Sequence, residues 1–407
     1  MFEPSVISIG PYHRGRPHLR AMEEKKWSIL QDFLTREGRA LQDCISVIKE
    51  AEKRARCCYS EPFAMSSDDF VEMMVLDGCF ILEFFCRSFV TNDLEAIKEG
   101  WNSWFIETDL MLLDNQIPYF IIEILLGYPL NNPELLMLIA STLTRKKMSI
   151  KALSGPQKIH HLLHLCLCYA VPSVSTQHAA SEPNHCPFLN WIRAVPVLKY
   201  FSCSKKEEDL ELDNEMGIWE IPCVTELEEA GVKFKKLEQS DDITKITFQS
   251  GTLFIPCLRI SDSRRSLFMN LVAMEQCMFD QLPCYFSTYM VFLVYLVSTA
   301  RDVRILQQKG ILQSMLSSEE EVALFFNQIG LGVMIPHNHY LAELFKRVNK
   351  YRESRYHRYR AKLSRDYFNN PWSIVTLIAA TLLLCLTIIQ SFMSVYAYIR
   401  PPPSSPS

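Results

Sequence analysis

A chain of 407 residues, 48% hydrophobic and 22% charged, has enough apolar side chains to build one large or two ordinary folded domains and is not an intrinsically disordered chain. Its formal charge of −4 is unevenly spread: residues 346–365 hold nine basic side chains against Glu353 alone, a local +8, so the remainder carries −12. An acidic body with one basic collar excludes a nucleic-acid binder, whose positive charge should cover a folded face.

In chain order, Met1-Phe2-Glu3-Pro4-Ser5 lacks a basic region followed by an apolar run, so no secretory signal is visible. Thiols such as Cys57, Cys58, Cys79 and Cys86 are then expected to stay reduced. Val6-Ile7-Ser8-Ile9 is short and β-branched, and Gly10-Pro11 ends it as a turn. The basic loop around Arg14 and Arg16 is read as an anion or partner contact. Apolar spacing predicts helices over Leu19–Leu34 and Ala40–Cys58. Ser66-Ser67-Asp68-Asp69 is a capping cluster before Phe70–Glu83, which is apolar nearly all round and therefore predicted buried. Asp109–Phe120 reads as two apolar stretches split by the polar knot Asp114-Asn115-Gln116, with Pro118 opening the second.

These elements form a predicted N-terminal helical half, 1–168. Residues 169–190 are rich in Pro, Ser, His and Asn, and 169–215 read as a linker. In the half 216–345, Ile243–Phe248 and Thr252–Ile255 flank Gln249-Ser250-Gly251 as a β-hairpin. Helices are predicted over Ser266–Phe279, Tyr285–Gln308 and Ser318–Ile329, with the uncharged Tyr285–Val297 read as a buried core helix.

The collar (Lys346, Arg347, Lys350, Arg352, Arg355, Arg358, Arg360, Lys362 and Arg365) occupies a juxtamembrane segment, 346–366. Beyond it, 367–399 has no charged side chain and is long enough to cross a bilayer as one helix. Ile374, Leu377, Leu383, Leu386 and Ile389 lie in its apolar run, with Trp372 and Tyr396 placed for the two interfaces. A Pro/Ser tail, 400–407, follows. Cations on the near side predict a cytosolic body, post-translational insertion in the manner of a tail-anchored protein, and contact with anionic lipid head groups. The predicted fold class is therefore mainly α: a large multi-helix soluble body with a small β-hairpin element, plus one C-terminal transmembrane helix.

No phosphate loop, zinc-protease, nucleophile-elbow or kinase signature appears, and no cofactor is expected. Two constellations carry the enzymatic alternative. Glu72, Asp77, Glu83, Asp109 and Asp114 sit in apolar sequence, where desolvation would suit a general acid, although Asp114, Asn115 and Gln116 also suit helix ends near Pro118 and Glu72 its own helix cap. His160, His161, His164, Cys166 and Cys168 are metal-ligand types at close spacing, with His160 and His164 on one helical face, but no carboxylate lies close by to orient them. Both are read as structural. The leading function is a membrane-tethered module that recognises a protein partner; the alternative is a membrane-bound enzyme using these acids or the His/Cys cluster.

Several of these phrases together resemble the plant family of domain of unknown function 247. They are Pro4–His13, Ala21–Trp27, Phe70–Glu83, Asp109–Tyr119, Glu226–Phe234, Ile255-Pro256-Cys257-Leu258 and Tyr367–Trp372, spread over nearly the whole chain. The resemblance implies a single-pass plant protein without assigned catalysis. Some grass members look like candidates for pollen–stigma self-incompatibility recognition, which implies an interaction role. Against the family pattern, the leader before Pro4 is nearly missing, which leaves the first strand without an expected partner. Val294 stands where an acidic or polar residue is more usual.

Overall fold

The computed structural model describes residues 3–91, 103–144, 158–170, 220–238, 242–279, 282, 284–353 and 371–399. Helix α1 (Arg20–Glu37) buries Met22, Lys26, Ile29, Leu30 and Phe33, a three- and four-residue spacing that lines one face, and ends at left-handed Gly38. Helix α2 is Leu41–Arg56. Helix α3 (Ser67–Cys86) starts where Ser66 Oγ accepts the Asp69 N–H at 3.1 Å, and from Met73 to Phe85 it is buried nearly all round, as its sequence predicts. It is the central rod, packed by α1, by α2 and by α5 (Tyr119–Leu126). Gly78 permits the α5 approach, because a Cβ there would overlap Leu125 Cδ1. Helices α4 (Ser103–Asp109), α6 (Pro133–Thr144) and α7 (Leu162–Ala170) complete this part.

Residues Val6–Ile9 do not form a strand. They run as an irregular, fully buried segment through the core beside α1, α3 and the knot. A buried backbone without a sheet must find other hydrogen-bond partners, and here side chains supply them. Asp109 accepts the N–H groups of Ser5, Val6 and Ile7 at 2.9, 2.7 and 2.9 Å. Asn115 Oδ1 accepts from Ile9 N–H at 2.7 Å, its Nδ2 donates to Ile7 O at 3.1 Å, and Asp77 Oδ2 accepts from Gly10 N–H at 2.8 Å. The expected missing strand partner is thus replaced by the polar knot.

The second part opens with α8 (Val224–Glu229) and strand β1 (Lys233–Lys236). The predicted hairpin is present: β2 (Thr247–Gln249) and β3 (Thr252–Ile255) are antiparallel across Ser250 and Gly251, both with positive φ, as a two-residue type I′ connection demands. β1 adds to β3 in parallel, giving the order β1-β3-β2, and β4 (Leu258–Ile260) pairs in parallel with β5 (Leu312–Ser314). Helix α9 is Asp262–Cys277. The single helix expected over Tyr285–Gln308 is two, α10 (Tyr285–Leu296) and α11 (Ala300–Gln308). Thr299 and Asp302 form a capping box that restarts the chain there, and a capping residue favours a helix start over a helix interior. Helix α10 is a buried core helix as expected, with Phe286, Tyr289, Phe292 and Leu296 fully enclosed.

Helices α12 (Glu319–Ile329) and α13 (Ala342–Glu353) follow. α13 continues through residue 346, so Lys346, Arg347, Lys350 and Arg352 stand on a helix of the folded body. The other collar cations, and nearly all of the predicted linker 169–215, lie outside the described residues. The buried apolar side chains of both parts form one cluster. The last helix, α14, is Pro371–Ile399 and 29 residues long. Among the described residues no helix is long and apolar enough to cross a membrane; in α14 the unbroken run of described side chains, 378–394, is shorter than the about 20 residues a hydrocarbon core requires.

Gly10 has φ +79°, and a Cβ there would lie 2.5 Å from Gln116 O, whereas Gly15, with φ +83°, has nothing within 4 Å. Gly15→Ala is expected to cost about 1 kcal/mol for the left-handed backbone, and Gly10→Ala about 2 kcal/mol beyond that for the overlap. Thermal melts of the two variants side by side check this; equal shifts would show that the knot yields to a methyl group.

Candidate functional site

The five acids singled out in the sequence have separate fates. Asp114 and Glu72 are exposed, so neither is a desolvated acid. Glu72 takes an ion pair with Arg14 at 3.0 Å and not the cap of its own helix, where Asp69 is the residue joined to Ser66. Glu83 is buried between Arg36 and Arg87, the latter at 2.7 Å. Arg14 also reaches Glu23 at 3.3 Å, and Arg16 pairs with Glu3 at 3.0 Å. Arg14 and Arg16 are thus each engaged by acids of the same chain.

Asp77 and Asp109 are fully buried and occupied. Lys26, completely enclosed on α1, sets its ammonium 2.6 Å from Asp77 Oδ1 and 2.5 Å from Ser8 O, and it also meets Glu23. Ser8 Oγ donates to Glu23 Oε1 at 2.6 Å. Burial pushes the Asp77 carboxyl above its ordinary range, against the pull of the Lys26 ammonium. Burial raises Asp109 as well, against its three backbone donors. The other knot residues work in the same way: Gln116 Nε2 donates to Leu110 O and Leu112 O at 2.7 and 2.8 Å, and its Oε1 accepts Leu163 N–H at 3.3 Å. Sequence reading missed two more such acids. Glu275 accepts the Phe286 and Ser287 N–H groups at 3.0 and 2.6 Å, which satisfies the start of α10. Asp302 takes the Thr225 N–H at 2.8 Å besides its own capping box. Burial acts to raise Asp302, but the bonds from Thr225 and Thr299 outweigh it and hold the carboxyl low.

In the His/Cys group, His160 and His161 precede α7, and the His160 and His164 rings stack with centroids 5.0 Å apart. His164 Nδ1 accepts the His160 N–H at 3.2 Å, and Cys166 Sγ lies 3.5 Å from Met111 Sδ, so these atoms do not converge on one point. Among the described residues no group of three or more His, Cys, Asp or Glu is placed to hold a metal ion. Burial, and secondarily the neighbouring His160, pulls His164 down to about 4.

Among the described residues, a cleft of about 1110 Å³ is bordered by α2, the knot, α5, the start of α6, residues 158–161 and the end of α9. Its wall is aromatic with charges of both signs: Tyr59, Tyr119 and Phe120 with Arg54 and Lys158 on one hand and Asp114 and Glu123 on the other. The Arg54 guanidinium lies 3.6 Å over the Phe120 ring centre. The Tyr119 hydroxyl is buried and, among the described residues, makes no hydrogen bond. Such a concave, largely aromatic lining can enclose an aromatic group. The segment Asp109–Tyr119 carried a signal in the sequence; Arg54 and Cys277 did not, because chain folding alone brings α2 and α9 to that rim.

Residues 1–386 match the family model described as "Plant protein of unknown function", domain of unknown function 247. The chain belongs to this family. It is similar to the Arabidopsis thaliana "UPF0481 protein At3g47200", 29% identical over 98% of this chain and 84% of that protein. It is also similar to the Arabidopsis thaliana "Putative UPF0481 protein At3g02645", 24% identical over 97% of this chain and 87% of that protein. No solved structure matches. The knot and the N-terminal segment of this family member both lie within the matched range, so the staple between them falls inside the family's own boundaries.

Removing one partner of a buried ion pair strands the other charge, so Lys26→Met is expected to cost about 3–5 kcal/mol; denaturant titration measures it, and a loss under 1 kcal/mol would contradict the pairing. The folded chain keeps His164 neutral where the unfolded chain takes up a proton. Its contribution is therefore complete above about pH 6.5 and falls away as pH drops toward 4, at most about 3 kcal/mol. His164→Gln should flatten stability against pH between 7 and 4, and an unchanged slope would exclude His164 as its source.

Proposed function

We propose that this chain is a membrane-tethered recognition protein: α14 lies across a bilayer, the body faces the cytosol, and the cleft beside the knot receives a protein partner. The observation that carries the reading is the condition of α14. Over its 29 residues it contains no charged side chain, and Leu382, Leu383, Leu384, Leu386, Ile388, Ile389 and Phe392 are each 58–69% exposed. An apolar stretch of this kind is not stable in water without a cover, and a lipid hydrocarbon core is the cover that suits an uncharged sequence of 29 residues. The orientation is supported by the cations on its N-terminal flank. A recognition role for the body is supported by the aromatic cleft, and by the use of the buried acids as backbone acceptors and ion-pair partners.

Protease treatment of sealed vesicles carrying the protein tagged at both ends should digest the N-terminal tag and spare the C-terminal one. The reverse pattern would put the body on the other side, and loss of both tags would exclude a span. Leu383→Arg with Leu386→Arg places two charges near the helix centre, each costing about 2.5–3.5 kcal/mol, and should release the protein from membranes in alkaline carbonate.

A further inference from the structure

The three-stranded sheet has one face turned away from the core, and that face is basic. Strand alternation puts Phe234, Leu253 and Phe248 inward, buried, and in register with one another. The opposite face carries Lys233 and Lys235 on β1, Thr252 and Phe254 on β3, and Thr247 and Gln249 on β2. Lys245, two residues before β2, continues the same alternation and is exposed, as are Lys233 and Lys235. Among the described residues, no acidic side chain occupies a position of this face within the three strands; Glu238, just beyond β1, is exposed. Of the neighbouring acids, Asp242 is engaged by Thr244 at 2.8 Å and Glu228 pairs with Lys309 at 3.8 Å.

The face lies where the chain leaves for α14. Lys233 N–H donates to Gly251 O at 2.9 Å, so β1 begins at the hairpin tip. At that tip a Cβ on Gly251 would overlap the Tyr351 hydroxyl. Arg347 on α13 donates to Phe248 O at 2.5 Å, and the Tyr351 ring meets Phe248 edge-on at 5.6 Å. Helix α13 ends two residues later at Glu353, with the remaining collar cations ahead in the chain.

We infer that this sheet face, with Lys233, Lys235 and Lys245, is a docking surface for a bilayer rich in anionic lipid, and that it seats the body on the membrane to which α14 tethers it. The inference rests on the anchor reading and adds to it a rigid contact made by the fold. Charge complementarity carries it: three lysines and a half-exposed Phe254 on one outward face meet a negatively charged surface. Fixing the body also gives the cleft a set height and direction over the bilayer.

Amide hydrogen exchange of the full-length protein, in vesicles of neutral phosphatidylcholine and in vesicles with added phosphatidylserine, tests it. Peptides covering 233–236 and 245–249 should exchange about tenfold more slowly in the anionic vesicles, as expected for three cations each drawn to the surface. Half-molar salt, or the triple variant Lys233→Glu, Lys235→Glu and Lys245→Glu, should abolish that difference. Peptides within 378–394 report the anchor separately and should be protected in both vesicle types. If they are protected while the sheet peptides exchange alike in both, the docking surface is refuted and the anchor stands. If they are unprotected in both, the anchor reading fails and the docking inference with it. Protection of the sheet peptides already present in detergent would mean that the chain itself covers the face, which also overturns the inference.

Discussion

The N-terminal segment Val6–Ile9 must be buried without a sheet to receive it, and the architecture of the first part depends on how that is achieved. Its side chains are apolar on both sides, so both faces seek the core, and its amides follow them in. An unpaired buried amide costs about 1–3 kcal/mol, so a run of them would cancel the gain from burying the side chains. Asp109, Asn115 and Asp77 remove that cost by accepting from Ser5, Val6, Ile7, Ile9 and Gly10. Charged acceptors are stronger than neutral ones, which fits a segment pinned by only a few bonds. Lys26 then balances the charge of Asp77 and ties α1 to α3.

The same device recurs wherever two pieces of chain must be held together. Glu275 joins the end of α9 to the start of α10, and Asp302 joins α8 to α11. Asn270 on α9 accepts the Leu113 N–H at 2.8 Å, which links the second part to the knot. Each of these polar side chains is buried because a backbone group there has no helix or strand partner. Residues that look like candidates for acid–base chemistry in the sequence thus act as joints in the fold. The cleft is set by the joints: the knot that grips the N-terminal segment also turns Tyr119 and Phe120 into its wall.

The basic collar is divided between the body and the connection to α14. Four of its cations belong to α13, which packs on the sheet through Arg347 and Tyr351. The body therefore offers positive charge from two fixed elements, α13 and the outer sheet face. Charges held on a rigid surface meet a charged plane together, whereas charges on a loose chain each lose conformational freedom on contact.

The sequence by itself determined the helical class, the buried central helix, the hairpin, the core character of Tyr285–Leu296 and the apolar C-terminal stretch. These follow from local causes: periodicity, capping residues, a turn with positive φ, and uninterrupted hydrophobicity over a given length. It also marked Asp109–Tyr119 as unusual, and gave Asn115 and Gln116 a structural role. Only the tertiary structure decided the rest. The lysine-rich β1 lacks a strand-like composition and becomes one because β3 offers it a parallel edge. The break after Leu296 depends on Asp302 reaching both Thr299 and Thr225 from a distant helix. Whether an acid in apolar sequence is buried was equally undecidable: Asp77 and Asp114 look alike in the chain, yet Asp77 faces Lys26 and Asp114 faces water. Burial and pairing are set by what packs from elsewhere, and one-dimensional spacing carries no record of it.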